Sequence, residues 1–309
     1  MVNATVREFI LLGFYEIPEA QLVLFVTFMI IYAATIVSNL LTLAVIYLDP
    51  HLHSPMYILL CNMSVIDLSF STMVLPKFLD ICLTGHNVIT YTGCIVQVFF
   101  FVVLMVAEYF ILAAMAYDRY VAICVPLRYA NLMSIRVCVA MASTSWSIGA
   151  MEGVLFVVLI SFCTFCKSNE INHLFCDLKP LIKLSCSDTK TIETTILGIG
   201  SFIGFLPSMF TLVSYTCIIL TILNIPSRKG RTKTFSTCSS HLTVIVIFYG
   251  TVLGMYMRPK SKYSMDQDKV LAVLYAAVIP MVNPLIYSLR NTEVKSAVRK
   301  IGDRYIRNM

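Results

Sequence analysis

Residues 94–117 read CIVQVFFFVVLMVAEYFILAAMAY, an apolar run in which Glu108 is the only charged side chain. A helix of about 20 apolar residues is long enough to cross the hydrocarbon core of a bilayer. Because a charge in hydrocarbon is expensive, the acid in this run must face the protein interior rather than lipid. The run therefore predicts a membrane-spanning helix with one buried carboxyl group.

The whole chain has the composition of a membrane protein. Of its 309 residues, 58% are hydrophobic and 13% are charged, whereas soluble domains carry about 25% charged residues. The mean hydropathy is +0.82 and the formal net charge is +6. These values exclude a disordered chain, an ordinary cytosolic enzyme and a nucleic-acid-binding protein. We therefore expect an integral membrane protein whose surroundings are membrane lipid.

Charge-poor stretches like 94–117 recur along the chain, and its length accommodates about seven spans with their connections. No linker or internal repeat separates them. We predict an all-α membrane protein, a seven-transmembrane helix bundle that forms a single domain over 1–309 and ends in a short amphipathic tail helix. The predicted spans are 22–48, 55–76, 94–120, 136–160, 194–225, 234–257 and 268–289.

The charged flanks of the spans predict the orientation. With the N-terminus outside, the inside segments are 49–55, 118–136, 225–234 and 290–309. These segments hold more than half of the 23 Lys and Arg residues, as the positive-inside rule requires. Asn3-Ala4-Thr5 is a glycosylation sequence, which is used only on the outer side. We expect an extracellular N-terminus glycosylated at Asn3, no cleaved signal peptide and a cytoplasmic C-terminus.

Four of the eleven cysteines are predicted outside, where disulfides persist. These are Cys94, Cys166, Cys176 and Cys186. Four cysteines allow three pairings, and their spacing does not choose among them. Any pairing through Cys94 would tie the start of the third span to the outer loop 161–193.

Four polar residues on four spans lie in the inner half of the membrane, at depths of ~10–18 Å from the cytoplasmic end. They are Asn39, Asp67, Glu108 and Asn283. Such groups must face the bundle interior and satisfy one another, water or a cation. One interpretation is a network that only holds helices together, and the other is a network that rearranges on switching. Two carboxyl groups at one depth favour a shared proton or a bound cation, because neighbouring like charges do not both ionise cheaply.

The outer half of the predicted bundle is apolar with a few tyrosines. Phe101 and Met105 share one helical face with Glu108 and lie above it. Such side chains either pack helices together or line an apolar pocket with few orienting polar groups. The candidate ligand contacts are Phe101, Val102, Met105, Val106, Ile199, Ile203, Val252, Leu253, Tyr256, Val273 and Ala276. Glu152, at a similar depth on the fourth span, is a neutral acid, a lipid-interface anchor or a ligand contact.

Several motifs stand in a fixed order along the chain. They are Asn39; Pro55-Met56-Tyr57 leading into Asp67; Met115-Ala116-Tyr117-Asp118-Arg119-Tyr120-Val121-Ala122-Ile123-Cys124; Ser214-Tyr215; Lys233-Thr234-Phe235-Ser236-Thr237-Cys238-Ser239-Ser240-His241-Leu242; and Pro280-Met281-Val282-Asn283-Pro284-Leu285-Ile286-Tyr287. With them the chain resembles the rhodopsin-like G-protein-coupled receptors, and specifically the olfactory receptors, over nearly its whole length. Phe248-Tyr249-Gly250 and Tyr256-x-Arg258-Pro259 resemble the tetrapod-type class of that family.

The resemblance implies roles that spacing does not supply. It implies the disulfides Cys94–Cys176 and Cys166–Cys186, and a candidate sodium or other cation site at Asp67 and Glu108, with no other metal or cofactor. It also implies a switch and G-protein coupling set, which comprises Asp118, Arg119, Tyr120, Tyr215, His241, Tyr249, Asn283, Pro284 and Tyr287.

The implied function is that of an odorant receptor. Such a protein binds a small, mostly apolar and volatile molecule and activates the olfactory-type stimulatory G protein, which raises cyclic AMP. The implied location is the plasma membrane of olfactory neuron cilia. The alternative is a chemosensory receptor of the same fold expressed outside the nose. The sequence predicts neither the odorant nor the oligomeric state.

Other membrane classes fit less well. A retinal-binding pump needs a Schiff-base lysine, and 270–289 contains none. A transporter is typically built from repeated halves, which this chain lacks. An enzyme needs a nucleophile with a base or a set of metal ligands, but the five histidines are scattered and form no HExxH motif. We therefore expect no enzymatic activity.

Overall fold

The computed structural model describes residues 6–13, 18–166, 168–256, 265–290 and 292–307, without the side chains at 18, 233, 236–237, 255–256, 265–266, 288–290, 292, 302 and 304–307. In this part of the chain seven long helices form one bundle, and we number them first to seventh. They are Gln21–Leu48, Pro55–Thr84, Tyr91–Cys124, Ile135–Ser161, Lys190–Leu223, Arg228–Tyr256 and the seventh helix, which consists of Met265–Val273, a π-helical turn Leu274–Val278 and Ile279–Arg290. The expected glycosylation residue Asn3 lies outside the described residues.

Shorter elements connect the long helices. They are the 3-10 turns Pro18–Ala20, Pro50–Leu52 and Pro126–Arg128, the helices Tyr129–Leu132 and Leu178–Leu184, and the tail helix Thr292–Arg307. The tail helix is fastened to the bundle by the Tyr57 hydroxyl, which donates to Glu293 Oε2 at 2.8 Å. This bond joins the inner end of the second helix to the start of the tail.

Local sequence signals set several helix ends. The third helix begins where the Thr90 hydroxyl accepts a hydrogen bond from Gly93 N at 3.1 Å. The fourth begins where Ser134 Oγ accepts from Val137 N at 3.3 Å, and both are standard N-caps. The second helix ends at Gly85, whose φ of 73° is a left-handed conformation that glycine adopts without strain.

The second helix continues well beyond the predicted end at residue 76, to Thr84. Its last turns contain Lys77 and Asp80, which form an ion pair with an Nζ–Oδ2 distance of 2.9 Å. The predicted span stops before these charges, whereas the helix continues past them. They lie beyond the apolar part of the span and pair with each other, so the helix tolerates them.

The outer surface of the bundle is apolar. In the described residues, six helices are long and apolar enough to cross a membrane, while the sixth contributes the shorter apolar segment Cys238–Gly254. Large side chains such as Leu197, Phe202 and Phe205 are more than half exposed on the fifth helix. An exposed apolar surface of this size needs an apolar solvent, so the chain is a multi-pass membrane protein.

Two glycines bring the fourth helix close to the third. A Cβ at Gly149 would lie 2.6 Å from the Val103 carbonyl oxygen, and a Cβ at Gly153 would lie 2.9 Å from Val103 Cγ2. Small residues of this kind allow helix backbones to approach closely within a membrane. The contact fixes the rotation of the fourth helix about its axis.

Gly149→Ala should therefore destabilise the bundle by about 1–3 kcal/mol, because the added methyl group meets backbone that has no room to move. The matched control is Gly200→Ala, where a Cβ meets nothing within 4 Å. Thermal unfolding of both detergent-purified variants measures the difference. Equal unfolding midpoints for the two variants would contradict the close contact.

A small sheet covers the outer end of the bundle. Strand β1 (Glu8–Leu11) lies between β2 (Val88–Thr90), to which it is antiparallel, and β3 (Glu170–Ile171), to which it is parallel. Phe9 and Leu11 of β1 are fully buried. The segment before the first helix is therefore part of the folded outer face.

Two disulfides hold the outer loop across this face. Cys94 pairs with Cys176, with a Cα–Cα distance of 5.4 Å, and Cys166 pairs with Cys186, with a Cα–Cα distance of 5.9 Å. These are the pairs that the family resemblance implies. Gln97 reinforces the first, because its Oε1 accepts a hydrogen bond from Cys176 N at 2.8 Å.

Candidate functional site

The outer half of the bundle contains a cluster of four aromatic rings from three helices and the outer loop. Phe101, on the third helix, is 0% exposed. Its ring centroid lies 5.3 Å from that of Phe70, 5.1 Å from Phe175 and 6.0 Å from Tyr275. We call Phe70, Phe101, Phe175 and Tyr275 the outer aromatic cluster. The cluster closes an apolar interior directly beneath the stapled loop.

Burial weakens ionisation in the loop above this cluster. His173 Nδ1 lies 3.1 Å from the Phe175 carbonyl oxygen, and its ring packs edge-on against Phe175 with a centroid distance of 4.7 Å. Burial lowers the pKa of His173 and raises the pKa of Asp177, because a low-dielectric environment disfavours the charged form of each group. In the outer loop above the cluster, burial therefore disfavours the charged forms of His173 and Asp177.

Tyr275 connects the aromatic cluster to the polar layer below it. Its hydroxyl donates to Glu108 Oε2 at 3.1 Å, while its ring packs against Phe70 with a centroid distance of 4.7 Å. A displacement of the rings therefore acts directly on a buried carboxyl group.

Tyr275→Phe should keep the ring packing and remove this hydrogen bond. A buried carboxyl oxygen that loses its donor costs about 1–3 kcal/mol, so we expect a lower thermal unfolding midpoint and a shifted agonist response. Tyr32→Phe is the control, because its hydroxyl makes a single exposed bond to Thr72 at 3.3 Å. Unchanged stability in Tyr275→Phe would show that the Glu108 bond contributes nothing.

Most of the expected ligand-contact residues face the bundle interior. Phe101, Val102, Val106, Val252 and Ala276 are buried, and Met105, Ile199, Ile203 and Val273 are half-buried. Leu253 is a correction, since it is 50% exposed. It follows Val252 by about 100° of helical rotation, which turns it toward lipid. The side chain of Tyr256 lies outside the described residues.

The seventh helix contains a π-helical turn at the level of the cluster, Leu274–Val278. A π turn adds a residue to the helical repeat and often occurs at functional sites. Here Tyr275, Ala276 and Ala277 are all buried in succession. Tyr275, whose hydroxyl bonds Glu108, lies within this turn.

Of the four inner polar residues, Asn283 and Asp67 bond each other, and Asn39 bonds the backbone of the seventh helix. Asn283 Nδ2 donates to Asp67 Oδ1 at 3.0 Å, and Asn39 Nδ2 donates to the Pro280 carbonyl oxygen at 3.1 Å. Glu108 interacts electrostatically with Asp67. Within the described residues, Asn39 Oδ1 and Glu108 Oε1 are buried without a hydrogen-bond partner. The network therefore has spare acceptor oxygens in its interior.

At the inner end of the third helix, Arg119 pairs with its neighbour Asp118. Adjacent residues point in different directions on a helix, so this pairing is not the default. Instead, the guanidinium bends back, and its Nε lies 3.0 Å from Asp118 Oδ2. Asp118 Oδ1 accepts from the Tyr129 hydroxyl at 2.8 Å. The pair therefore locks the third helix to the inner loop, while Tyr120 beside it is half-buried.

The expected switch residues of the fifth, sixth and seventh helices meet close to Arg119. The Tyr215 hydroxyl lies 2.6 Å from His241 Nδ1, and the His241 ring centroid lies 6.3 Å from that of Tyr287. In the described part of the chain, His241 Nε2 and the Tyr287 hydroxyl are buried without a hydrogen-bond partner. Pro284, one turn before Tyr287, is buried within the seventh helix.

Tyr249 lies between the inner switch residues and the outer cluster. Its hydroxyl lies 3.4 Å from Thr211 Oγ1 on the fifth helix, and its ring centroid lies 5.4 Å from that of Tyr109 on the third. Through this one side chain the sixth helix contacts both the fifth and the third helix.

Sequence reasoning missed Phe70, Tyr109, Phe175 and Tyr275. Phe175 had a usable signal, because it precedes Cys176, and a disulfide from Cys94 to that residue necessarily brings it over the third helix. Tyr275 had no such signal, because it lies in a π turn, which breaks the periodicity from which a buried face is inferred.

Comparisons with known proteins agree on one family. A family model described as olfactory receptor matches residues 28–303. Olfactory receptor 5AP2 of Mus musculus is 49% identical over 305 residues, which cover 98% of this chain and 96% of that protein. Olfactory receptor 8D4 of Homo sapiens is 47% identical over 304 residues, covering 98% of this chain and 97% of that protein. The resemblance noted in the sequence is confirmed, and the chain belongs to the olfactory receptor family, a family of seven-helix membrane receptors that are not enzymes.

Proposed function

We propose that this protein is an odorant receptor that binds a small, mostly apolar molecule in the outer half of the bundle and activates the olfactory-type stimulatory G protein, raising cyclic AMP. Its expected location is the plasma membrane of olfactory neuron cilia. The observation that supports this most directly is the Tyr275–Glu108 hydrogen bond of 3.1 Å. It couples an apolar cluster that suits an odorant to the polar layer that leads toward Arg119.

The proposed mechanism is a population shift. An agonist must bind the open state better than the closed one, because equal affinity for both would change nothing. Contacts near Val252, Tyr256 and Tyr249 would bias the sixth helix outward. That movement must stretch the contact between Tyr215 and His241, which now spans 2.6 Å between the fifth and sixth helices. Its loss would open the cytoplasmic cleft beside Arg119.

We also propose that a cation of the sodium type occupies the inner polar layer at Asp67 and Glu108. The donor set is all oxygen, which suits a hard cation, and Glu108 Oε1 and Asn39 Oδ1 are buried without hydrogen-bond partners among the described residues. A bound sodium ion would balance the charge of one carboxylate, with the other carboxyl group protonated, and would stabilise the closed bundle.

Sodium should then raise the thermal unfolding midpoint of the purified protein relative to the larger cation choline at equal ionic strength, because a ligand stabilises the state that binds it. Asp67→Asn should remove this sodium dependence, whereas Asp80→Asn at the outer end of the second helix should retain it. Sodium stabilisation that persists in Asp67→Asn would refute the site.

The test of the receptor function is a cyclic AMP assay in cells expressing the chain, with surface staining, against a chemically diverse odorant panel. We expect a dose-dependent rise that Tyr256→Ala weakens and Leu253→Ala leaves nearly unchanged, because Leu253 faces lipid. A response whose potency falls equally in both variants would contradict the proposed pocket. Silence across the panel at normal surface level would contradict the assigned coupling.

A further inference from the structure

The inner end of the sixth helix carries a group of exposed basic residues that the proposed switch does not use. Arg228, Lys229 and Arg231 are exposed, and in the described part of the chain none of them forms an ion pair. The sequence around them offers no compensation, because it contains no acid between Glu193 and Asp266. We call the three residues the inner basic surface. It is a concentration of uncompensated positive charge at the cytoplasmic end of the bundle.

The depth of the inner basic surface places it at the lipid headgroups. The apolar segment of the sixth helix ends at Cys238, and Arg231 lies about 10 Å further toward the cytoplasm. The headgroup layer is about 5–8 Å thick on each side of a bilayer, and long basic side chains reach back toward the membrane. The fifth helix indicates the same level, because it ends at Leu223, which is more than half exposed and lies shortly before Arg228. The basic side chains therefore reach the lipid phosphates.

The inner basic surface also lies on the side of the sixth helix that faces lipid. Val246 and Leu253 mark this side, because both are apolar and at least half exposed. Eighteen residues make about five turns of an α-helix, so Arg228 lies below Val246, and Phe235 lies below Leu253. Phe235 is more than half exposed, and aromatic rings are enriched at the membrane interface. The lipid-facing side thus continues from the hydrocarbon, past Phe235, to the basic residues.

This side of the helix points away from the cytoplasmic cleft that the proposed mechanism opens. The inward side is marked by His241, which is buried and lies 2.6 Å from the Tyr215 hydroxyl of the fifth helix. Helical geometry separates Arg228 from His241 by about 140° of rotation around the helix axis. The surrounding lipid therefore has direct access to Arg228, whereas a protein seated in the cleft approaches the opposite side of the helix.

We propose that the inner basic surface is a docking surface for anionic phospholipid headgroups of the inner leaflet, such as phosphatidylserine. Clusters of about four or more Lys and Arg directly cytoplasmic of a membrane-spanning helix attract such headgroups, and Lys233 brings this run to four in the sequence. The headgroups supply the negative charge that the chain lacks between 194 and 265. Lipid bound there holds the inner end of the helix that the proposed mechanism moves.

Quenching by brominated lipid measures the composition of the bilayer at this surface. Phe235→Trp places a fluorophore beside the basic residues of the full-length chain, and the unsubstituted protein, whose single tryptophan is Trp146, gives the background. Both proteins would be reconstituted in equal mixtures of phosphatidylserine and phosphatidylcholine, with one or the other lipid brominated. The fluorophore should report a local phosphatidylserine enrichment of at least about threefold. Screening with about 0.5 M choline chloride should reduce this enrichment.

Two triple variants in the Phe235→Trp protein localise the effect. Replacing all three residues of the inner basic surface by Gln should reduce the enrichment to about one, because its electrostatic cause is then removed. The matched control is Lys295→Gln/Arg299→Gln/Lys300→Gln, which removes the same number of charges from exposed positions of the tail helix. The control should keep the enrichment at position 235, since the fluorophore reports only the lipid near the sixth helix.

The quenching measurement needs no agonist, so its result is independent of the proposed receptor function. Equal quenching by the two lipids in the Phe235→Trp protein would overturn the docking surface, and so would an enrichment that survives replacement of the three basic residues. Loss of the cyclic AMP response in the triple variant, with no phosphatidylserine enrichment before the replacement, would also overturn it and would assign these residues to G-protein contact.

Discussion

Arg119→Ala should abolish the cyclic AMP response to every agonist while the receptor still reaches the cell surface. Arg119 lies at the inner end of the third helix with 17% of its side chain exposed, and it is held there by Asp118, which in turn accepts a bond from Tyr129 at 2.8 Å. In the proposed mechanism, outward movement of the sixth helix would make this guanidinium available to the G protein. Its removal should therefore act on coupling rather than on ligand binding. The measurement is cyclic AMP at matched surface staining.

Two further variants make this result specific. Arg119→Lys keeps the charge but loses the planar guanidinium that forms several hydrogen bonds at once, so we expect a strongly reduced response. Lys190→Ala removes a positive charge at the exposed outer start of the fifth helix and should respond normally. A normal cyclic AMP rise in well-expressed Arg119→Ala would refute the coupling role, whereas loss of surface staining would instead assign Arg119 a folding role.

The membrane helices were predictable because the bilayer imposes a simple rule. Each span is a long stretch with few charges, and a charge in hydrocarbon is costly enough to make the pattern visible in one sequence. The fold class predicted in this way is confirmed. The sixth helix shows the limit of the rule, because its apolar segment Cys238–Gly254 is short and its inner part begins with the basic residues from Arg228.

The outer sheet was not predictable by the same reasoning. Strands β1, β2 and β3 have two to four residues each and come from three distant segments. The three segments are far apart in sequence, and the folded bundle with its disulfides holds them side by side. The pattern of alternating residues in four positions is too brief to distinguish a strand from a loop.

The candidate site was predicted in its composition but not in its contacts. Helical spacing places Phe101 and Glu108 on one face, and both are buried. It does not decide which way Leu253 faces. Adjacent residues point about 100° apart around the helix axis, so near the edge of an apolar face either one can face lipid. It also does not predict the bond to Glu108 from Tyr275, which lies in a π turn whose repeat departs from the regular helix.

Cys94→Ser should cause the largest loss of stability among the substitutions considered. The Cys94–Cys176 disulfide closes a loop with a sequence separation of 82 residues, and removing such a bond costs about 2–5 kcal/mol. The hydrogen bond from Cys176 N to Gln97 would then be left to hold the loop over the outer aromatic cluster. Because Phe175 would move with the loop, we expect loss of agonist response together with a large fall in the thermal unfolding midpoint.

The double variant Cys94→Ser/Cys176→Ser distinguishes the disulfide from the individual side chains. Both single variants already lack the bond, so the double should be no less stable than either single one, a clear departure from additivity. Cys163→Ser is the matched control, since this cysteine is free and half-buried at the same end of the bundle, and it should unfold at nearly the normal temperature. If the two single losses added in the double variant, local packing rather than the covalent tie would explain the stability of the outer loop.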